Sequence, residues 1–203
     1  MARVMPVIEA IREHSEICIS IDTSSPEVML ESSRLGADII NDVRAMRRSG
    51  AVEAAASTGL PVCLMHMKGE PGTMQAAPFY EDILREINDF FLERIAACSK
   101  AGISSDRLVL DPGFGFGKKP EHNLQLINKL GCFKEHGMPL LVGLSRKSTI
   151  ARITDNGLVG SVTGALLAVA RGANIIRVHD VAETVSALSV ASAINAESLE
   201  AEL

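Results

Sequence analysis

Residues 107–119 read RLVLDPGFGFGKK and set the pattern for the whole chain. Leu108 to Leu110 form an apolar run suited to a strand buried on both faces, and an acid, Asp111, closes it. Pro112 and three alternating glycines, Gly113, Gly115 and Gly117, then make a tight loop that lets a ligand approach the backbone. The spacing fits neither the GxxxxGK[ST] nor the GxGxxG phosphate loop. The two phenylalanines of the loop look too exposed for core, and Phe116 suits the wall of an aromatic ligand site. Five other short apolar runs have the same build: ICISID at 17–22, DIINDV at 38–43, PVCLMHM at 61–67, PLLVGL at 139–144 and NIIRVHD at 174–180.

Helical patterns separate these runs. Pro26 fits the first position of PEVMLESSR, which Gly36 stops, and AVEAAAST stops at Gly59. From Tyr80 to Ala101 the apolar residues Ile83, Ile87, Phe90, Phe91, Ile95 and Cys98 form one stripe that ends at Gly102. EHNLQLINKLGCFKEHG, GSVTGALLAVARG and VAETVSALSVASAINAE read as later helices, and MARVMPVIEAIREH as an opening one. Six strand–helix units make either a doubly wound sheet or a (β/α)8 barrel. Every strand here ends in polar or reactive residues, as at a barrel mouth, whereas a doubly wound sheet draws on a few strand ends. The expected fold class is therefore α/β, a TIM (β/α)8 barrel in one domain over residues 1–203. It is N-terminally truncated to about six βα units, with the first two strands absent.

Composition narrows the function. The 203 residues are 47% hydrophobic and 22% charged with a net charge of −5, which disfavours a mainly electrostatic nucleic-acid binder. Aromatic residues are 3%, so base-stacking platforms are scarce. No apolar run is long enough for a membrane span or a signal peptide. Cys18, Cys63, Cys98 and Cys132 read as buried reduced thiols in a cytoplasmic protein.

The strand ends carry the chemistry. Asp22 closes ISIDT, where it could equally cap the next helix. Asn41 and Asp42 place an amide and a carboxylate where they can read the edge of a flat heterocycle, or make an Asx turn. SRKS at 145–148 sets Arg146 and Lys147 between two hydroxyls at a helix start, a setting that favours anions. Arg177 and His179, at i and i+2 of the last strand, share a face. These four cations could form a pocket for a phosphorylated or diphosphorylated small molecule. His66 lacks the H-E-x-x-H logic of a metal site, and Met65 and Met67 look like soft walls.

Taken in order, ISIDTSSPEV, GADIINDV, GLPVCLMHMKGEPGTMQ, LVLDPGFGFGKK, LLVGLSRKS and NIIRVHDVAET resemble the later strand-and-loop blocks of bacterial dihydropteroate synthases. The resemblance implies condensation of 6-hydroxymethyl-7,8-dihydropterin pyrophosphate with p-aminobenzoate to dihydropteroate, releasing pyrophosphate, in folate biosynthesis. It implies that Asp22, Asn41, Val43, Met65, Asp111 and Lys147 hold the pterin. Phe116, Ser145 and Lys147 would flank p-aminobenzoate, and Arg177 and His179 would hold pyrophosphate. Asp111, Lys147, Arg177 and His179 are the implied catalytic set. Magnesium is the implied cofactor, sulfonamides the implied inhibitors and a homodimer the implied assembly. The family's metal-placing asparagine belongs to its first strand, which has no counterpart here, so no residue of this chain is assigned to the metal. A mobile-loop Ser-Thr-Arg-Pro motif likewise lacks a counterpart, and this chain alone is expected to be weakly active or inactive. Residues 150–161 look a few residues shorter than usual in a region that belongs to the family's dimer interface. The alternatives are a methyltetrahydrofolate methyltransferase-type pterin domain, which does not need SRKS with RVHD, and a folded remnant without turnover.

Overall fold

Four short runs pair side by side in chain order to make a parallel sheet: β1 (Ser20–Asp22), β2 (Ile39–Asp42), β3 (Val62–Met65) and β4 (Leu108–Asp111). This computed structural model describes residues 1–69, 72, 74 and 78–197, so residues 70, 71, 73 and 75 of the GLPVCLMHMKGEPGTMQ block lie outside the described residues. All residues of β3 and β4 are buried, as expected for parallel strands covered on both faces. β1 instead alternates, with Ser20 and Asp22 exposed around a buried Ile21. Each strand is shorter than its apolar run, because only part of each run meets partners in register.

The chain divides into two compact units. The first holds this sheet with α1 (Met5–Arg12), α2 (Pro26–Arg34), α3 (Ala51–Thr58) and α4 (Ile83–Lys100). Pro26 opens α2 at its first turn, and Gly36 and Gly59 stop α2 and α3 with φ of +99° and +74°, conformations that only glycine adopts without strain. Asp82 caps α4 by accepting hydrogen bonds from the Leu84 and Arg85 amides. The buried residues of α4 include Ile83, Ile87, Phe91 and Cys98, as its stripe predicts, but also Arg94. Arg12 fastens α1 to the sheet's entry: its guanidinium donates to the Ser15, Ile17 and Gly36 carbonyls and pairs with Asp38 at 2.5 Å.

The second unit holds β5 (Leu141–Val142) and β6 (Ile175–Ile176), paired in parallel, with α5 (Pro120–Asn128), α6 (Ser148–Ala151), α7 (Gly157–Ala170) and α8 (Val181–Ala196). The expected helix over EHNLQLINKLGCFKEHG breaks after Asn128 and continues as a 3-10 segment, Leu130–His136, that buries Leu130 and Phe133. Arg177 and His179 lie beyond β6, which ends at Ile176, and so are loop residues and not strand residues. Cys63 and Cys98 are buried as expected, whereas Cys18 and Cys132 are exposed, and none of the four is in a disulfide among the described residues. Among the described residues no helix is long and apolar enough to cross a membrane.

Candidate functional site

Register decides which strand-end side chains share a face. Asp22 pairs with Asn41, Asn41 with Cys63, Cys63 with Val109, and Met65 with Asp111. Because side chains alternate with a period of two, Asp22, Asn41, Met65 and Asp111 all project from one face at the carboxyl end of the first unit's sheet. Asn41, Met65 and Asp111 are buried to 7%, 3% and 7% exposure, and Asp22 is exposed. Val43 sits one residue past β2 and is half-buried. Two acids, an amide and a soft thioether on one face suit a flat, apolar ring with donor N–H groups along its edge.

The opposite register places Asp42 on the other face, and there it makes the Asx turn that the strand-end pattern offered as its alternative. It is fully buried, and its carboxylate accepts from the Ser24 hydroxyl and from the Arg44 and Met46 amides, at 2.9 and 2.7 Å for the two amides. These bonds hold a turn in which Ala45 and Met46 have φ of +51° and +60°, an unfavourable region for side chains other than glycine. The buried Arg94 guanidinium of α4 completes the turn by donating to the Ala45 and Met46 carbonyls at 2.8 and 3.2 Å. Asp42 therefore shapes the loop after Asn41 and does not face the same way as Asn41.

Asp111 is held by its own loop. Its Oδ1 accepts the Gly113 amide at 2.7 Å, and its carbonyl accepts the His66 amide at 2.9 Å. His66 is buried with its ring edge-on to Phe90 at 4.9 Å, and Arg47 lies 5.5 Å from the Phe90 centroid.

In the second unit the rest of the glycine loop meets Lys147. The Lys147 ammonium donates to the Phe114 carbonyl and lies 4.5 Å from the Phe116 ring centroid and 5.9 Å from that of Phe114. Phe114 is buried at 2% exposure, so one of the two loop phenylalanines is core after all, while Phe116 is half-buried. Gly115 and Gly117 have φ of +84° and +63°, and a Cβ on Gly117 would stand 2.2 Å from the Lys68 carbonyl oxygen. The glycines are thus required by the backbone as well as by any ligand.

Ser145 is buried and meets His179 twice, through the His179 amide at 3.3 Å and ring Nδ1 at 3.1 Å. The Arg177 amide donates to the Val142 carbonyl at 3.0 Å. Arg177 and His179 are exposed, with their backbones tied to the β5 segment, so both can meet a soluble anion without leaving the fold. Arg146 does not join them as a free cation. It forms a two-pronged pair with Asp180 at 2.5 and 3.2 Å, which raises its own pKa and holds the Asp180 carboxyl below the ordinary range. Arg146, with φ of +57°, is exposed at a turn whose amide is anchored on Ser161 Oγ.

The sequence gives no local sign of Asn123. This α5 residue is buried at 1% exposure, accepts the Gly115 amide on Oδ1 at 2.7 Å and donates from Nδ2 to Thr149 Oγ1 at 2.9 Å. Among the described residues no group of three or more His, Cys, Asp or Glu side chains could hold a metal ion.

The first unit presents a strand-end face suited to a flat heterocycle, and the second holds a lysine beside an aromatic ring and two exposed cationic side chains. The chain belongs to the family of pterin-binding enzymes, whose model matches residues 1–179. It is 54% identical over 197 residues to the dihydropteroate synthase of Escherichia coli strain K12, covering 95% of this chain and 70% of that protein. The Yersinia pestis dihydropteroate synthase, solved as a sulfonamide drug complex, superimposes with a TM-score of 0.94 at 47% identity, covering 97% of this chain and 73% of that one. The Xanthomonas albilineans dihydropteroate synthase in complex with 7,8-dihydropteroate gives a TM-score of 0.90 at 46% identity, covering 96% and 75%. The function is that of a dihydropteroate synthase, a transferase, and the fold class is the TIM barrel, of which the described residues form six βα units.

Proposed function

We propose that Asp22, Asn41, Val43, Met65, Asp111 and Lys147 hold a dihydropterin pyrophosphate, that Phe116, Ser145 and Lys147 hold p-aminobenzoate, and that Arg177 and His179 hold the pyrophosphate. The carrying observation is Lys147: an ammonium 4.5 Å from the half-buried Phe116 ring, two residues from the buried Ser145 hydroxyl, suits an aromatic ring bearing a carboxylate. In the reaction the bond from the pterin methylene to the pyrophosphate oxygen breaks and the bond from that carbon to the arylamine nitrogen forms. Pyrophosphate leaves with the electron pair, and the amine's proton passes to solvent or to the departing anion. No protein nucleophile is needed. Asp111 and Asn41 stabilise positive charge developing on the pterin, and Arg177 with His179 stabilises the negative charge that leaves.

Magnesium would assist the departure of pyrophosphate by offsetting its developing negative charge, with no residue of this chain assigned as its ligand. The homodimer is supported by exposed apolar residues on α7 and α8, among them Leu158, Leu167, Val185 and Val190. A cytoplasmic location is supported by four cysteines of which none is in a disulfide among the described residues. Sulfonamides, as in the Yersinia pestis complex, are assigned to the p-aminobenzoate side.

The test is competition calorimetry on the 203-residue chain, with a sulfonamide titrated in the presence and absence of p-aminobenzoate. Competition is expected, with Lys147→Ala weakening both ligands roughly 10- to 150-fold, the loss of a charge-assisted hydrogen bond. Independent binding of the two, or affinities unchanged by Lys147→Ala, would refute the assignment.

A further inference from the structure

Lys147 has four rotatable side-chain bonds, yet its ammonium must sit at one place for the proposed p-aminobenzoate contact. The second unit fixes that place from two sides. Its stem crosses the bare face of Gly115: a Cβ there would stand 3.0 Å from Lys147 Cδ and 3.8 Å from Nζ. Its ammonium rests on the Phe114 carbonyl. The location of the charge therefore depends on the separation between the glycine loop and the start of α6, which carries the lysine backbone as its N-cap.

One side chain spans that separation. The Asn123 carboxamide uses its oxygen on the Gly115 amide at 2.7 Å and its nitrogen on Thr149 Oγ1 at 2.9 Å. Asn123 and Thr149 are 1% and 2% exposed, so water does not readily replace either bond. A buried amide leaves the pair little room to slide, because an unmade bond there carries the full cost of an unsatisfied polar group. The amide is thus a ruler between the residue under the lysine stem and the helix that carries the lysine backbone.

We propose that Asn123 and Thr149 are positioning residues for Lys147, setting its ammonium over the Phe116 ring and thereby the affinity of the p-aminobenzoate side. The ligand part of this proposal rests on the functional reading above; the placement of Lys147 does not. Neither residue touches the ligand in this account, so their effect must pass through Lys147.

The test is a double-mutant cycle on p-aminobenzoate affinity, with Thr149→Val and Lys147→Ala made singly and together in the 203-residue chain. Thr149→Val keeps the shape and removes the hydroxyl, and Thr149→Ser restores it. Thr149→Val is expected to weaken p-aminobenzoate about 10-fold alone but less than about 2-fold in the Lys147→Ala background, while Thr149→Ser stays near the parent. Equal losses in both backgrounds would mean a merely structural role and would overturn the proposal. A second readout is independent of ligand: the Lys147 Cε signal of lysine-labelled protein, assigned with Lys147→Arg. The Phe116 ring should shift that signal in the parent and in Thr149→Ser, and the shift should collapse in Thr149→Val and in Asn123→Leu. If the parent binds no p-aminobenzoate, the functional reading falls, and this signal alone decides the positioning. An unchanged signal in folded Thr149→Val overturns it, and should Asn123→Leu fail to fold, Thr149→Val decides.

Discussion

Two glycines two residues apart in one loop should fail in different ways when each is given a methyl group. At Gly117 the new Cβ would stand 2.2 Å from the Lys68 carbonyl oxygen and 3.0 Å from its carbon, a collision with backbone that no rotamer change can relieve. Overpacking of this sort costs roughly 1–3 kcal/mol, and an alanine held at φ of +63° adds about 1–2 kcal/mol. Gly117→Ala should therefore lose about 2–5 kcal/mol of stability. At Gly115 the nearest atom is Lys147 Cδ at 3.0 Å, the middle of a flexible side chain that can step aside. Gly115→Ala should cost only the conformational part, about 1–2 kcal/mol, but should displace the Lys147 stem and weaken p-aminobenzoate binding. Urea unfolding with a lowered midpoint and an unchanged slope measures the first effect, and calorimetry with p-aminobenzoate measures the second. Equal midpoints for the two variants would refute the backbone collision. A Gly115→Ala chain with parental p-aminobenzoate affinity would refute the dependence of the ligand on the lysine stem.

Two further outcomes follow from single side chains. His122 accepts the Lys119 amide on Nδ1 at 3.2 Å, and its pKa is lowered from 6.5 first by burial and then by Lys119, with Lys118 and Lys68 adding to the effect. A histidine whose folded pKa is lowered stabilises fully above about pH 6.5; the stability is lost as pH falls below that value and levels off beneath the folded pKa. Urea midpoints between pH 7.5 and 5 should show this step, and His122→Gln should flatten it. Arg12→Ala removes the donor to three carbonyls and the partner of Asp38, whose side chain is 46% exposed, so solvent discounts the ion pair. A loss of about 2 kcal/mol is expected from the carbonyl bonds, and a thermal melt of the variant matching the parent would contradict it.

Local signals in the sequence mark the repeat of the fold well. Proline at a helix start and glycine past a helix end are set by backbone sterics, so Pro26, Gly36, Gly59 and Gly102 mark boundaries close to those observed. The apolar runs locate all six strands but overstate their lengths, since hydrogen-bonded register depends on the neighbouring strand and not on the run itself. Arg177 and His179 read as strand residues for that reason, although β6 pairs only Ile175 and Ile176 with β5. The site is legible where a residue acts from its own strand end, as with Asn41 and Asp111. It is illegible where the partner is distant in sequence. Arg94 bonds to Ala45 and Met46 across 49 and 48 residues, and Asn123 bonds to Thr149 across 26. Phe114 and Phe116 have the same local surroundings, and only the fold buries one and leaves the other over a lysine.

The most direct measurement of the central claim is calorimetric titration of 6-hydroxymethylpterin into the parent chain and into Asn41→Ala and Asp111→Asn. Both side chains are 7% exposed and share the face with Asp22 and Met65, so a ring N–H that loses its acceptor there meets no replacement water. Each lost bond costs about 1–3 kcal/mol, or roughly 5- to 150-fold in affinity. The account predicts pterin binding to the parent with losses of that size in both variants and unchanged unfolding midpoints for Asn41→Ala. A parent chain that binds no pterin, or variants that bind it as tightly as the parent, would contradict it.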